Sequence, residues 1–252
     1  MSFRRATIVV VVGLFALYAL LVLSLAALCE GAQLWHALGS SRTLYALKLS
    51  LLAGTAATAL SMLIAVPAGY ALSRYSFFGK RLVDTFLELP VIVSPVALGA
   101  MLLILFSSSL GDALRTRGID VVFEIPGIVV AQFGAPAGLA TRLVRAVLDE
   151  IPVRYEAVAR SLGASPARAF ATVTLPLAAR GIVAAGILSW AKAIGEFGAT
   201  ITLAGAMAMK TETLPTAIFM ALSAANIPQA VALILILVAL GLCVLYVIRL
   251  LT

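Results

Sequence analysis

Residues 156–176 read Glu156-Ala-Val-Ala-Arg160-Ser-Leu-Gly163-Ala-Ser-Pro166-Ala-Arg168-Ala-Phe170-Ala-Thr-Val-Thr-Leu175-Pro176, a polar, basic stretch between long apolar segments. Glu156 to Leu162 are helix formers, and Gly163 can end that turn. Ser165 is a candidate N-cap for a second short helix. Pro166 falls at its first position, where a missing N–H costs nothing. That helix is expected to run through Phe170 until Leu175-Pro176 redirects the chain into the next apolar segment. Two short exposed helices set at an angle between membrane segments suit docking of a soluble partner.

The surroundings are those of a membrane protein. Hydrophobic residues make up 63% of the 252-residue chain, charged residues 12%, and mean hydropathy is +1.13, which no soluble fold with a polar surface accommodates. The apolar runs are continuous and longer than the ~10-residue alternating strands of a barrel, so the fold class is all-α. Stretches near the ~20 residues needed to cross a bilayer number six: Ile8 to Leu28, Leu47 to Ser73, Phe86 to Phe106, Ile125 to Leu143, Ile182 to Leu203 and Ala230 to Leu250. The fourth holds Gln132, Gly134, Pro136 and Gly138, so it is either kinked or extended toward Val147.

Basic residues set the orientation, because Lys and Arg near span ends stay in the cytoplasm. With both termini inside, the inner set is Arg4, Arg5, Arg74, Lys80, Arg81, Arg142, Arg145, Arg154, Arg160, Arg168, Arg180 and Arg249, against Arg42, Lys48, Arg115, Arg117 and Lys210 outside. The loop at 156 is therefore expected in the cytoplasm. The first run lacks a small-x-small site at Leu28-Cys29-Glu30 and reads as a retained helix. Cys29 and Cys243 read as unpaired apolar packers.

The net charge of +7 follows topology and has no interleaved aromatics, which argues against nucleic acid. With His36 the sole histidine, a His-based metal cluster is excluded. No phosphate-binding Gly-x-x-x-x-Gly-Lys-Ser/Thr loop, nucleophile elbow or metalloprotease motif occurs. The chain is expected to have no catalytic residue, metal or cofactor of its own.

The loop resembles the signature of importer permeases of the ATP-binding cassette (ABC) superfamily: Glu-Ala-Ala, three residues, Gly, nine residues, Ile-x-Leu-Pro. From Gly163, nine residues lead to Val173-Thr174-Leu175-Pro176. Val173 stands for Ile, Ala157 occupies the consensus Glu position, and the acid lies one residue earlier at Glu156. That shifted register, with Ala159-Arg160-Ser161-Leu162-Gly163, looks like the branch importing molybdate, tungstate or sulfate. Ser76-Phe77-Phe78-Gly79-Lys80 and Leu89-Pro90-Val91-Ile92-Val93-Ser94-Pro95 resemble the same branch. The block from Gly195-Glu196-Phe197-Gly198 to Thr202, then Glu212 to Ile218, looks especially like the molybdate and tungstate permeases.

The resemblance implies a type I importer permease with a methionine-importer-like transmembrane domain over residues 46–252, preceded by a first helix and periplasmic linker at 1–45. Two copies of the chain would enclose a path above two ATPase subunits, which hold ATP and Mg, while a periplasmic or lipid-anchored oxyanion-binding protein delivers the cargo. Residues 154–176 would form the ATPase-coupling loop. Its implied residues are Glu156, Ala159, Arg160, Gly163, Ala164, Ser165, Pro166, Arg168, Leu175 and Pro176. Gly163 would allow close approach, and Arg160 and Arg168 would either pair with acidic residues of the ATPase or face water and anionic lipid.

Within the spans, Lys192 and Glu196 stand one helical turn apart and can pair. Lys192 is expected two to three turns from the cytoplasmic end, which favours a structural or gating role over substrate contact. Ser94, Pro95, Thr200 and Thr202 are candidates for the path or its gate, although Ser and Thr also bond back to their own helix. Pro67, Pro90 and Pro95 are read as static kinks, and 111–124 either touches a binding protein or is a solvated loop. A channel or secondary transporter would need an inverted repeat or coupling-ion site, and no repeat is visible. Sulfate or another oxyanion is the alternative cargo.

Overall fold

The computed structural model describes residues 3–28 and 31–251, with the side chains of 32, 33 and 247–251 outside the description. Cys29 and the side chain of Arg249 therefore lie outside the described residues. The described residues form helices and connecting turns only. They run α1 (Phe3–Leu28), α2 (Gly31–Gly39), α3 (Ser41–Arg74), α4 (Lys80–Leu87), α5 (Leu89–Ile92), α6 (Pro95–Phe106), α7 (Ser109–Arg115), α8 (Ile125–Asp149), α9 (Arg154–Ser161), α10 (Pro166–Ala169), α11 (Leu175–Ile194), α12 (Gly198–Ala204), α13 (Leu214–Ser223) and α14 (Ile227–Leu251). A π-helical turn, Phe170–Thr174, joins α10 to α11.

The core is built around α3 and α8, with α11 laid beside them. Lipid removes most of the hydrophobic drive for helix association, so packing relies on small residues that let backbones approach. At the loop end, Ala65, Ala140, Val144, Leu148, Ala178 and Ala185 form one buried cluster. Gly69 makes this contact possible, since a Cβ there would lie 2.9 Å from Val144 and 3.1 Å from the Arg145 nitrogen. Toward the opposite end, Leu49, Ala53, Ile128 and Ala204 form a second cluster, and α12 packs along α6. By contrast α1 buries none of its side chains.

Among the described residues five helices are long and apolar enough to cross a membrane, and a sixth crossing exists only if a bent pair counts as one. That pair is the expected third span, residues 86–106, which is broken between Ile92 and Pro95, with the two arms 112° apart. Proline explains the break: Pro95 has no N–H to continue a helix from the preceding arm, and the residue before proline is pushed to extended backbone. Ser94 is extended (ψ 147°) and caps α6 through the Ala97 N–H. Pro67, in contrast, sits inside an unbroken α3.

The fifth span also differs from the sequence expectation. Leu175-Pro176 does not redirect the chain, because a single helical run continues from Pro166 to Ile194. The π turn accommodates Pro176, widening the helix where a missing donor and a proline ring would otherwise disrupt it. The run then stops at Ile194, and residues 195–197 separate it from α12. Its polar start, with Thr172, Thr174 and Arg180, moved the expected boundary to Ile182. The fourth span reaches Asp149 with Pro136 inside it, the short apolar helix α13 lies between the expected fifth and sixth spans, and Cys243 faces outward from α14 instead of packing.

Candidate coupling loop and membrane path

The loop at 154–176 has one inward and one outward face. α9 ends in a Schellman turn: the Gly163 N–H donates to the Arg160 carbonyl at 3.0 Å and the Ala164 N–H to the Ala159 carbonyl at 3.1 Å. Gly163 supplies the left-handed backbone this turn requires, φ +91°, and a Cβ there would meet nothing within 4 Å. The glycine is thus needed for conformation, not for close approach within the chain. Ser165 caps α10 by accepting from the Arg168 N–H at 3.3 Å, with Pro166 at the first helical position.

Arg160, Gly163, Ser165, Pro166, Arg168, Leu175 and Pro176 are exposed, Ala159 and Ala164 partly so. Beside the turn, Val158 and Leu162 stand on one exposed face of α9, Leu162 being 84% accessible. Arg160 and Arg168, on either side of the Gly163 turn in sequence, are exposed as well.

Glu156, which the resemblance places among the coupling residues, is turned inward and buried. Its Oε1 accepts from Arg74 Nε at 2.9 Å and from the Thr174 hydroxyl at 2.7 Å, and its Oε2 accepts from the Tyr70 hydroxyl at 2.7 Å. Burial pushes the carboxyl pKa up, but hydrogen bonds from Arg74, Thr174 and Tyr70 outweigh it and hold the group below its ordinary value. Arg74 also donates to the Ile151 carbonyl at 2.9 Å. The Tyr70 ring lies 4.6 Å from that of Phe170. One carboxylate therefore ties α9, the end of α3 and the π turn together. Sequence reasoning missed Tyr70, Arg74 and Thr174. The one signal in the sequence is Arg74, a basic residue closing an apolar helix, and the inside preference of arginine accounts for it equally well.

Beside this cluster, Arg145 of α8 holds Asp84 of α4 at 2.6 Å, and Arg142 lies 3.4 Å from Glu88. At the opposite end of the bundle, Arg42 grips Glu212 with two bonds of 2.6 Å, and Lys210 pairs with Glu124. These pairs anchor α4 to α8, and α3 and the start of α8 to the α12–α13 loop.

Deeper in the bundle the two helix breaks meet. Gly198, first residue of α12, packs on Pro95 at the start of α6, and Gly99 packs on Ala199. Ser94 and Pro95 are exposed at this junction. Thr200 is buried and bonds back to the Glu196 carbonyl at 3.2 Å, and Thr202 bonds back to the Gly198 carbonyl at 2.8 Å. Both hydroxyls are committed to backbone carbonyls four residues earlier. Glu196 is buried and accepts from the Ala199 N–H at 3.0 Å. Lys192 Nζ stands 3.8 Å from its other oxygen. No group of three or more His, Cys, Asp or Glu residues suited to a metal occurs among the described residues.

Lys192 is also deeper than the sequence suggested. Trp190 Nε1 donates to Thr55 Oγ1 at 3.1 Å, and Ile194 packs on Gly54, which places this turn of α11 well inside the span of α3.

Comparison with known proteins agrees with this architecture. Residues 61–252 match the family described as binding-protein-dependent transport system inner membrane component. The chain is 34% identical over 177 residues to the molybdenum transport system permease protein ModB of Haemophilus influenzae, covering 69% of this chain and 77% of that protein. It is 32% identical over 217 residues to the sulfate transport system permease protein CysT of Escherichia coli, covering 85% and 78%. Its fold resembles a chain of a bacterial ABC transporter that imports alginate, with a TM-score of 0.74 at 16% identity over 98% of this chain and 94% of that one. It also resembles a chain of the MetNI methionine ABC transporter, with a TM-score of 0.63 at 18% identity over 84% and 99%. The matched family covers most of the chain and the helices follow the same plan, so this protein belongs to the binding-protein-dependent transport system inner membrane components and has the type I ABC importer permease fold.

Proposed function

We propose that this chain is the permease subunit of an ATP-driven oxyanion importer, with molybdate or tungstate as cargo. In this reading it sits in the inner membrane with both termini and the 154–176 loop in the cytoplasm, works as a pair of copies, and receives its anion from a binding protein. ATP and Mg belong to a separate ATPase subunit that docks on the loop. The observation that carries the coupling role is the division of that loop. Glu156 is locked inward onto Arg74, while Leu162, Arg160 and Arg168 are presented outward around the Gly163 turn. A load applied to the exposed turn would reach α3 through Glu156 and α11 through the continuous run from Pro166.

The similarity to the molybdenum permease ModB supports the cargo. Sulfate is the second reading, because the similarity to the sulfate permease CysT extends over more of the chain. The test is ATP-dependent uptake of molybdate, tungstate and sulfate into vesicles holding this chain with its ATPase and binding protein. Uptake requiring both partners supports the importer, and competition among the anions assigns the cargo. Uptake that persists without ATP would revive a channel or secondary transporter.

A further inference from the structure

We infer that Lys192 is the residue that meets the transported anion inside the membrane, exchanging Glu196 for a doubly charged tetrahedral oxyanion as it passes. The inference rests on the importer reading above and deepens it to a single side chain.

Depth comes first. α3 has 34 residues and so is ~51 Å long at ~1.5 Å per residue, which puts Thr55 ~21 Å from one end and ~29 Å from the other. Trp190 is hydrogen-bonded to Thr55, so Lys192 lies within the crossing of α3, about two turns in from Lys48. The Lys192 side chain is nevertheless 49% exposed, on a stripe shared with Ala184 and Leu188 of α11 and with Gly195 just beyond it. An ammonium among acyl chains costs up to roughly 2.5–3.5 kcal/mol. A stripe carrying one is favoured against water or a second copy over lipid.

The pairing is the second argument. Arg42 and Glu212 meet at 2.6 Å and Arg74 and Glu156 at 2.9 Å, but Lys192 and Glu196 stand 3.8 Å apart, too far for a hydrogen bond. Among the described residues none accepts a hydrogen bond from Lys192 Nζ. Glu196, by contrast, is 1% exposed and accepts the Ala199 N–H through the oxygen that does not face Lys192. The lysine is held by the field of Glu196 but is free to turn, with three donors for an oxyanion. Glu196 then draws the lysine back, which prevents the tight hold that would trap a dianion. In a pair of copies two such lysines match the charge of the cargo.

The test uses the assembled complex in proteoliposomes, with molybdate, tungstate and sulfate as probes. Lys192→Gln should lower the maximal uptake rate by about tenfold or more, the size of one lost charged hydrogen bond. The concentration dependence on loaded binding protein and the ATPase activity should be kept. Lys192→Arg should restore uptake. Glu196→Gln should do the reverse of a loss of contact, leaving more anion bound per complex and releasing it more slowly. In a chain whose two cysteines are replaced by serine, Leu188→Cys should react with a membrane-impermeant sulfonate thiol reagent, and molybdate should slow that reaction only while Lys192 is present. Unchanged uptake in Lys192→Gln, or an unreactive Leu188→Cys, overturns the assignment while leaving the importer intact. Absence of ATP-dependent uptake by the unaltered complex overturns the importer reading itself.

Discussion

Arg74, the last residue of α3, and Glu156, in the first turn of α9, lie 82 residues apart in sequence and meet at 2.9 Å, with side chains 5% and 9% exposed. A buried pair of this kind is a poor source of net stability, because desolvating both charges offsets most of their attraction. Its value is positional. It fixes the inner face of a loop whose outer face is left free.

Removing one partner is therefore more damaging than removing both. Arg74→Ala leaves the Glu156 carboxylate buried with only the Tyr70 and Thr174 hydroxyls, and should destabilise the fold by roughly 3–5 kcal/mol. Replacing both residues by apolar side chains of similar volume should cost less. Thermal unfolding of the purified complex checks the order of the two variants, and the number of anions imported per ATP checks the coupling.

The same site sets a pH dependence. Because hydrogen bonds hold the Glu156 pKa below its ordinary value, its stabilisation is fully present above the unfolded carboxyl pKa and is lost as pH falls through the lower folded value. The loss should begin only below about pH 4, where a free glutamate titrates. Between roughly pH 5 and pH 8 this carboxyl should contribute no change. Acid unfolding curves of the unaltered protein and Glu156→Gln should differ in the lowest pH range; curves that separate near neutrality would contradict the assignment.

Gly163 separates conformation from contact. A Cβ at this position has open space around it, so Gly163→Ala meets only the cost of left-handed backbone, about 1–2 kcal/mol. That strain acts on the turn carrying Leu162. Insertion should be unchanged and the unfolding temperature should drop by only a few degrees, while ATPase docking and uptake fall more steeply; Gly163→Asp should fall further by adding a negative charge, and Gly163→Asn, which tolerates this conformation better, should retain more activity.

The spans α1, α3, α8 and α14 were legible because continuous apolar runs report burial in lipid directly, and the Gly163 and Ser165 turn was legible because cap chemistry is local. The rest depended on contacts between distant segments. Nothing near Glu156 in sequence says that Arg74 and Tyr70 will draw it inward. The break before Pro95 looked like any proline kink, since only the packing of α6 on α12 shows that it opens to 112°. The depth of Lys192 was misjudged because the polar residues from Thr172 to Arg180 hid the earlier start of α11.

The meeting of the two broken helices yields a sharper steric prediction. A Cβ added at Gly198 would lie 2.8 Å from Pro95 Cβ and 2.9 Å from the Val96 nitrogen, and one at Gly99 would lie 2.7 Å from Ala199 Cα. In each case backbone or a proline ring stands in the way, and neither can rotate aside as a flexible side chain would. Gly134 faces the same region, yet its nearest neighbour is the Leu98 Cδ2 atom at 3.6 Å, an ordinary contact. Gly198→Ala and Gly99→Ala should therefore each cost roughly 1–3 kcal/mol by forcing α6 and α12 apart, whereas Gly134→Ala should be nearly silent. If the junction moves during transport, the two costly variants should also lose uptake out of proportion to their stability, because the half-helices must keep their close approach in every state. Uptake rates plotted against unfolding temperature for the three variants decide the matter: points falling on one line would reduce the junction to a packing contact, and Gly198→Ala falling well below it would mark the junction as part of the path.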